Sequence, residues 1–242
     1  MRIFRTPPYR DEPELLDSPE GASEHDLEVT LRDIRRANIF GLGTWVIKRH
    51  LADLLRGHPK AEPLLILDLA SGSGDIPEEV CRWASRKGYD VSFVVTDISP
   101  AILEFARRRI TRAGFGDRVT FAVCDATKPP FEAGAFDVTL CSLAFHHLNL
   151  GQAQESLRQM ARLSRKGFIV NDIYRSQGAW HMARVLAHLT TSNSLTRHDG
   201  PASVLRAYTP AELRRLSTMS GVSAEIYTHP FWRVAVVGNG KG

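Results

Sequence analysis

The chain has 242 residues, 43% of them hydrophobic and 24% charged, an ordinary globular composition with room for one large α/β domain plus an appendage. Its three cysteines (Cys81, Cys124, Cys141) have no CxxC spacing and no histidine cluster nearby, which argues against a disulfide framework or a structural zinc and points to a reducing compartment. The net charge of +4 is uneven: residues 1–30 hold three arginines against eight acidic residues, whereas 151–242 hold twelve basic against five acidic ones at helical spacing, the pattern of a solvated face and not of a nucleic-acid surface.

The start, "MRIFRTPPYRDEPELLD", carries charges and prolines where a signal peptide needs an apolar core, and no apolar run approaches membrane-spanning length; a cytoplasmic location is the expectation. Residues 1–22, rich in proline and acid, read as a poorly ordered or draped arm. Two helical stretches follow on either side of Gly41 and Gly43, the first with Leu27, Leu31 and Ile34 on one face. "HPKAEP" (58–63) is a linker. The expected division is a 1–60 arm and helical cap or lid, then a 61–242 catalytic or binding domain.

From there strands and helices alternate. "LLILDLA" reads as a strand and "DIPEEVCRWASRKG" as a helix with Pro77, Glu78 and Glu79 in its first turn, suiting the dipole. "VSFVVTD" is a strand and "SPAILEFARRRITRAG" a helix capped by Ser99. "VTFAVCDA" is a strand, "FDVTLCSLAFHHL" a strand breaking into a helix, "GQAQESLRQMARLSRKG" a helix closed by Gly167, and "FIVNDIY" a strand. A helical insertion spans about 176–206, with "TRHDGP" (196–201) as a polar turn or a functional cluster. Thr209 and Glu212 have capping-box spacing, and "VSAEIYTHP" and "FWRVAVVGN" are close enough to pair antiparallel. The fold class is a Rossmann-like, doubly wound, mostly parallel sheet with an antiparallel terminal strand and an N-terminal helical cap.

In such sheets the ligand sits off the carboxyl ends of the strands. A dinucleotide fingerprint needs a third glycine, but Gly72-Ser73-Gly74-Asp75-Ile76-Pro77 puts proline there, and Asp75 repels a pyrophosphate at the helix N-terminus. No Gly-Lys-Ser/Thr follows, so a Walker loop fails too. Asp97, 23 residues after Gly74, suits the two hydroxyls of a ribose; Asp125 can accept from an adenine amine with the Ala126 N–H alongside; Asp68 can engage an ammonium. Ribose, adenine and amino-acid ammonium without phosphate describe S-adenosylmethionine (SAM).

At these residues the chain resembles the class I SAM-dependent methyltransferases over roughly 62–175. "DLASGSG" resembles the family's glycine loop, with Ala70 where a glycine is common; "VVTDIS" resembles the ribose-binding segment, "CDA" the adenine edge, and "FDVTLCSLAFHHL" the strand and helix beneath the methyl donor. The resemblance implies cofactor contacts from Asp68, Ala70, Ser71, Gly72, Gly74, Asp97, Ile98, Asp125, Ala126 and Cys141. "SLAFHHL" and the helical cap look most like the small-molecule branch that includes ubiquinone- and menaquinone-pathway enzymes. Arg36 and Asn38 are candidates for the SAM carboxylate. One of His146 and His147, with His147 favoured, is the candidate base for a hydroxyl acceptor, and Asp172 is the competing one. Asp172 and Tyr174 could also orient that hydroxyl. The expected acceptor is small and apolar, aromatic or quinol-like, methylated at oxygen; no metal, nucleic acid or membrane span is expected, and the oligomeric state stays open. The rivals are a protein or nucleic-acid methyltransferase, which lacks an Asn-Pro-Pro-Tyr-type sequence after the fourth strand, and a non-catalytic SAM-binding protein.

Overall fold

The computed structural model describes residues 6–11, 14–15 and 24–240. Seven strands form one sheet: β1 (Leu64–Leu69), β2 (Val91–Asp97), β3 (Val119–Val123), β4 (Phe136–Ser142), β5 (Ser164–Ile173), β6 (Ala224–His229) and β7 (Arg233–Asn239), in the order β3-β2-β1-β4-β5-β7-β6. Strands β1 to β5 are parallel, and β7 runs antiparallel between β5 and β6. The order reverses between β1 and β4, where Asp68 pairs with Leu140 and Leu69 with Cys141, so a crevice opens at the strand ends there.

Among the described residues eight helices surround the sheet: α1 (Glu24–Phe40), α2 (Gly43–Leu54), α3 (Asp75–Lys87), α4 (Pro100–Arg112), α5 (Leu150–Leu163), α6 (Gln177–Thr190), α7 (Ser194–Arg206) and α8 (Pro210–Ser220). Alternate side chains of each strand point to opposite faces. Ile66, Phe93 and Val95 pack under α2, α3 and α4, while Leu67, Leu69 and Val170 pack under α5 and α8. Local signals fix several helix starts. Ser99 accepts from the Ile102 N–H ahead of Pro100, and Thr209 with Glu212 and Asn149 with Gln152 close capping boxes.

Four readings change. Helix α5 ends at Leu163 and β5 begins at Ser164, so Gly167 is a strand residue instead of a helix cap. A Cβ there would lie 2.5 Å from the Gly238 carbonyl and 2.9 Å from Leu54, so the glycine serves close approach. "TRHDGP" is helical, inside α7, with Pro201 mid-helix and Asp199 buried. "FHH" (145–147) is one 3-10 turn, entered through Leu143 at φ 54°. Finally, α2 belongs to the main core: Val46, Ile47, Leu51 and Leu55 are fully buried, contributing on the order of 6–12 kcal/mol as an upper bound. A boundary at residue 60 divides that core, leaving the arm and α1 as the parts of 1–60 outside it.

The arm lies across α7. Leu15 N–H donates to Asp199 Oδ1 (2.8 Å), Arg10 N–H to the Leu205 carbonyl (3.3 Å), and Arg175 Nε to the Pro7 carbonyl (3.1 Å). Asn193 to Thr30 (2.9 Å) and Thr196 to Asp33 (3.0 Å) join α7 to α1. Arm, α1, α6 and α7 together roof the strand ends, and a cleft of about 550 Å³ lies between Pro7 and Arg10 on one side and Trp180 and Leu205 on the other.

Candidate functional site

The β1–α3 turn is built without bulk. Ser71 N–H donates to the Thr96 carbonyl (2.8 Å), and the Ser71 and Thr96 hydroxyls both donate to the Asp68 carbonyl (2.8 and 3.0 Å), tying the turn to β2. Ala70, Gly72 and Gly74 all have positive φ (51°, 54° and 70°). The two glycines do different work. A Cβ on Gly74 would come within 2.9 Å of Ile110 and 3.1 Å of Ala106, so its absence lets α4 pack; a Cβ on Gly72 would meet nothing within 4 Å, so its absence leaves the turn open toward the crevice. Alanine at position 70 keeps the glycine-like backbone and carries its strain.

Asp97 closes β2, 7% exposed, accepting from the Gly72 N–H (Oδ2, 3.0 Å) and the Ser99 N–H (Oδ1, 3.0 Å). Burial raises its pKa against the opposing pull of those backbone bonds. Each oxygen keeps a lone pair, which suits a vicinal diol. Beside it Ile98 is 69% exposed and Val123, at the end of β3, 57% exposed, two apolar side chains flanking the place for a flat base. Val123 escaped the sequence reading because nothing there marks the last residue of an amphipathic strand as a contact. Asp125 is exposed and accepts the Thr127 N–H and hydroxyl at Oδ1 (both 2.7 Å), leaving Oδ2 and the half-buried Ala126 toward the mouth.

The amino-acid end of the crevice holds unmatched charge. Asp68 is 1% exposed with neither carboxylate oxygen hydrogen-bonded, and burial, helped by Asp75 and Asp97, pushes its pKa up to about 8. Asn38 donates to Asp75 Oδ2 (3.0 Å) while its own Oδ1 lacks a partner; Arg35 Nε and Arg233 Nη1 are likewise buried and unpaired. Arg233, 3% exposed, donates to the Gly41 and Ala37 carbonyls (3.0 and 2.9 Å), holding the α1–α2 turn over the site. Arg36, by contrast, is exposed and paired with Asp33 (3.4 Å) on the outer face of α1. Arg35 and Arg233 are the cations on this side with an orphaned buried nitrogen, whereas Arg109 beside the turn is paired with Glu78 (2.7 Å); helical phase separates Arg35 from Arg36, but only tertiary structure brings Arg233. Cys141 is fully buried, its thiol pushed well above its usual range by burial and by the neighbouring Asp68, Asp172 and Asp97 carboxylates; it sits beneath the crevice as packing.

At the ends of β4 and β5, His146 is 5% exposed. Its Nδ1 lies 2.8 Å from Asp172 Oδ1 and its N–H donates to Asp172 Oδ2 (3.1 Å). Asp172 is 4% exposed and also accepts from its neighbour's N–H at Ile173 (2.7 Å). Burial opposes both charges, yet mutual attraction wins: Asp172 is held below its usual range and His146 above. The two groups read from sequence as competing bases are one hydrogen-bonded pair. His147 is more open, 28% exposed at its side chain, with its carbonyl accepting from Arg206 (3.3 Å). Glu14, from the arm, reaches both imidazoles: 3.5 Å from His146 Nε2 and 3.7 Å from His147 Nε2. Its atoms and theirs lie within 4.8 Å of one another, the one such His/Cys/Asp/Glu group among the described residues. No local spacing marks Glu14, which stands 132 positions before His146. Tyr174 is half-buried in the core beside β5; Arg197 and His198 are exposed on α7.

Residues 66–167 match the family model described as a methyltransferase domain. They are a class I SAM-dependent methyltransferase domain. Among relatives, the ubiquinone/menaquinone biosynthesis C-methyltransferase UbiE of Hahella chejuensis is 31% identical over 102 residues, 42% of this chain and 39% of that protein, so the chain matches about two fifths of that relative's length. Among solved structures, the citrinin polyketide synthase CMeT domain superposes with a TM-score of 0.66 at 16% identity, covering 93% of this chain and 58% of that one. An O-methyltransferase family 2 protein from Planctomyces limnophilus in complex with apigenin gives 0.57 at 17% identity, covering 90% and 62%.

The methyltransferase domain's cofactor is SAM, and the crevice fits it. The orphaned Asp68 carboxylate answers an ammonium, unpaired Arg35 and Arg233 nitrogens answer a carboxylate, Asp97 answers a diol, and Gly72 leaves the turn open. No helix among the described residues is long and apolar enough to cross a membrane.

Proposed function

We propose that the chain transfers a methyl group to a hydroxyl of a small, apolar, aromatic or quinol-like acceptor, with His146 as general base and Asp172 as its orienting partner. When bound, SAM supplies an electrophilic methyl on a sulfonium. Asp97, Asp68, Ile98 and Asp125 with the Ala126 N–H hold the cofactor, and the glycine turn gives it room. The contact that carries the reading is Asp172 against His146 Nδ1 at 2.8 Å: it fixes the ring so that Nε2 faces the roofed space and stabilises the imidazolium formed on proton removal. The lid is assigned to the arm, α1 and the α6–α7 insertion, and Trp180 and Leu205 give the cleft between arm and insertion an apolar wall.

The C-methyltransferase name of UbiE favours a second reading, transfer to a ring carbon activated by an adjacent oxygen; loss of the same hydroxyl proton would drive it. A non-catalytic SAM-binding role leaves the buried His146–Asp172 pair without purpose. The test is methyl transfer to a panel of phenols, catechols and quinols by His146→Ala and His147→Ala, with SAM binding checked separately. The expected result is a loss of about 10²–10⁴ in rate for His146→Ala alone. Near wild-type rates in both variants would make the pair structural.

A further inference from the structure

We propose that the space between the Nε2 atoms of His146 and His147 is an oxyanion subsite for the acceptor's ionised oxygen, and that Glu14 occupies it as a displaceable stand-in while no acceptor is bound. The inference deepens the methyltransferase reading and rests on it.

Glu14 is a carboxylate 5% exposed, carried into the roofed space by a segment rich in proline and acid. A buried carboxylate is costly unless paired. Its oxygens divide between the two imidazoles, at 3.5 and 3.7 Å, and Oε1 also accepts from the Ser203 hydroxyl at 2.7 Å. The imidazole contacts are longer than the 2.7–3.2 Å of direct hydrogen bonds, whereas the Ser203 contact is a direct one, so the two rings face the carboxylate without closing on it. The described arm residues hold to Arg175 and α7: Pro7, Arg10 and Leu15 through hydrogen bonds, Tyr9 against the Arg175 guanidinium and Asp11 beside Arg206. These partners stand apart from the glycine turn and Asp97, so displacing Glu14 leaves the cofactor crevice in place.

The two imidazoles play unequal parts. Asp172 occupies Nδ1 of His146, so its Nε2 is the atom facing Glu14. When Glu14 leaves and takes the Nε2 proton with it, the ring is neutral at that nitrogen, and an acceptor hydroxyl put in its place gives up its own proton there: the O–H bond breaks, an N–H bond forms, and the negative charge stays on oxygen between an imidazolium and the His147 ring, with Arg206 behind. A place that holds a carboxylate selects an acceptor that becomes an anion, a phenol or enol, over an amine that arrives as a cation.

The test uses the full chain with the demethylated cofactor present and 4-nitrophenol as probe, whose absorption distinguishes phenol from phenolate. Glu14→Ala should bind the phenolate about tenfold more tightly than wild type, equivalent to about 1.4 kcal/mol. Benzoate should compete and benzylamine should not. Glu14→Gln, which keeps the shape and the Ser203 bond, should shift affinity in the same direction by less, covering the case in which the alanine variant folds poorly. Adding His146→Ala to either variant should abolish phenolate binding. Equal affinity in wild type and both Glu14 variants, or binding that survives loss of His146, overturns the proposal. So does tight zinc binding by wild type that is lost in Glu14→Gln, which would make the cluster a metal site. Absence of cofactor binding in the same samples would instead strike the methyltransferase reading itself.

Discussion

Asp172→Asn changes one atom's chemistry in a site that the structure specifies closely. The carboxylate accepts three hydrogen bonds: His146 Nδ1 and the Ile173 N–H at Oδ1, and the His146 N–H at Oδ2. An asparagine that keeps its oxygen at the Oδ1 position retains the first two and turns its NH₂ against the His146 N–H. That N–H is then buried and unsatisfied, at about 1–3 kcal/mol, and the imidazolium loses its buried counter-charge, a change typically worth about 3–5 kcal/mol in all. For a chain of this size each kcal/mol moves Tm by about 2–4 °C, so a drop of roughly 6–20 °C is expected. The pH dependence sharpens the test. Asp172 is held below its ordinary 3.8, so its contribution is present above that value and lost as pH falls through the lower folded pKa. His146 is held above its ordinary 6.5, with Asp172 and Glu14 favouring its charge and Arg206 opposing it, so its contribution is full below 6.5 and lost as pH rises through the folded value. The wild-type advantage over Asp172→Asn in calorimetric Tm should therefore be greatest between about 3.8 and 6.5 and shrink on either side. Single-turnover methyl transfer at saturating SAM should fall by about 10²–10⁴. A Tm within 2 °C of wild type across that pH range, together with an unchanged rate, would refute the pairing.

Four other outcomes follow from the glycine turn and Asp68. Gly74→Ala should lower stability by about 1–3 kcal/mol through overpacking against Ile110 and Ala106, seen in thermal melts, whereas Gly72→Ala should lose less stability and more SAM affinity, seen by calorimetry. Ala70→Gly removes a left-handed alanine costing about 1–2 kcal/mol against about 0.5–1 kcal/mol of added unfolded-state freedom, so Tm should hold or rise slightly. Burial pushes the Asp68 pKa up to about 8 and an ammonium beside it favours the ionised form, so SAM binding near pH 7 should release a proton and its measured enthalpy should vary with the buffer's ionisation heat.

The sheet was legible because the first three strands end in a chemical mark and several helices start with a cap: Asp68, Asp97 and Asp125 fall at the mouths of β1 to β3, and Ser99 and Thr209 cap α4 and α8 as their spacing implies. Where boundaries slipped, the local signal was outweighed by packing. Gly167 reads as a helix stop, but β5 needs the space beside Gly238. "TRHDGP" reads as a turn, but α7 absorbs it, with Asp199 turned inward to hold the arm. Long-range pairing was beyond reach altogether. Glu14 meets His146 across 132 positions and Arg233 meets Gly41 across 192, and no spacing rule links them. The same limit made His146 and Asp172 look like rivals, because only the adjacency of β4 and β5 turns them into a pair.

The central claim, that this crevice binds SAM through Asp97 and the glycine turn to support methyl transfer, is tested most directly by calorimetry of SAM against wild type and Asp97→Ala, with NADH as the control ligand. Loss of charge-assisted acceptance should weaken SAM by about 1.5–3 kcal/mol, roughly 10- to 150-fold, with NADH binding neither protein comparably. SAM affinity unchanged in Asp97→Ala, or NADH bound as tightly as SAM by wild type, would contradict it.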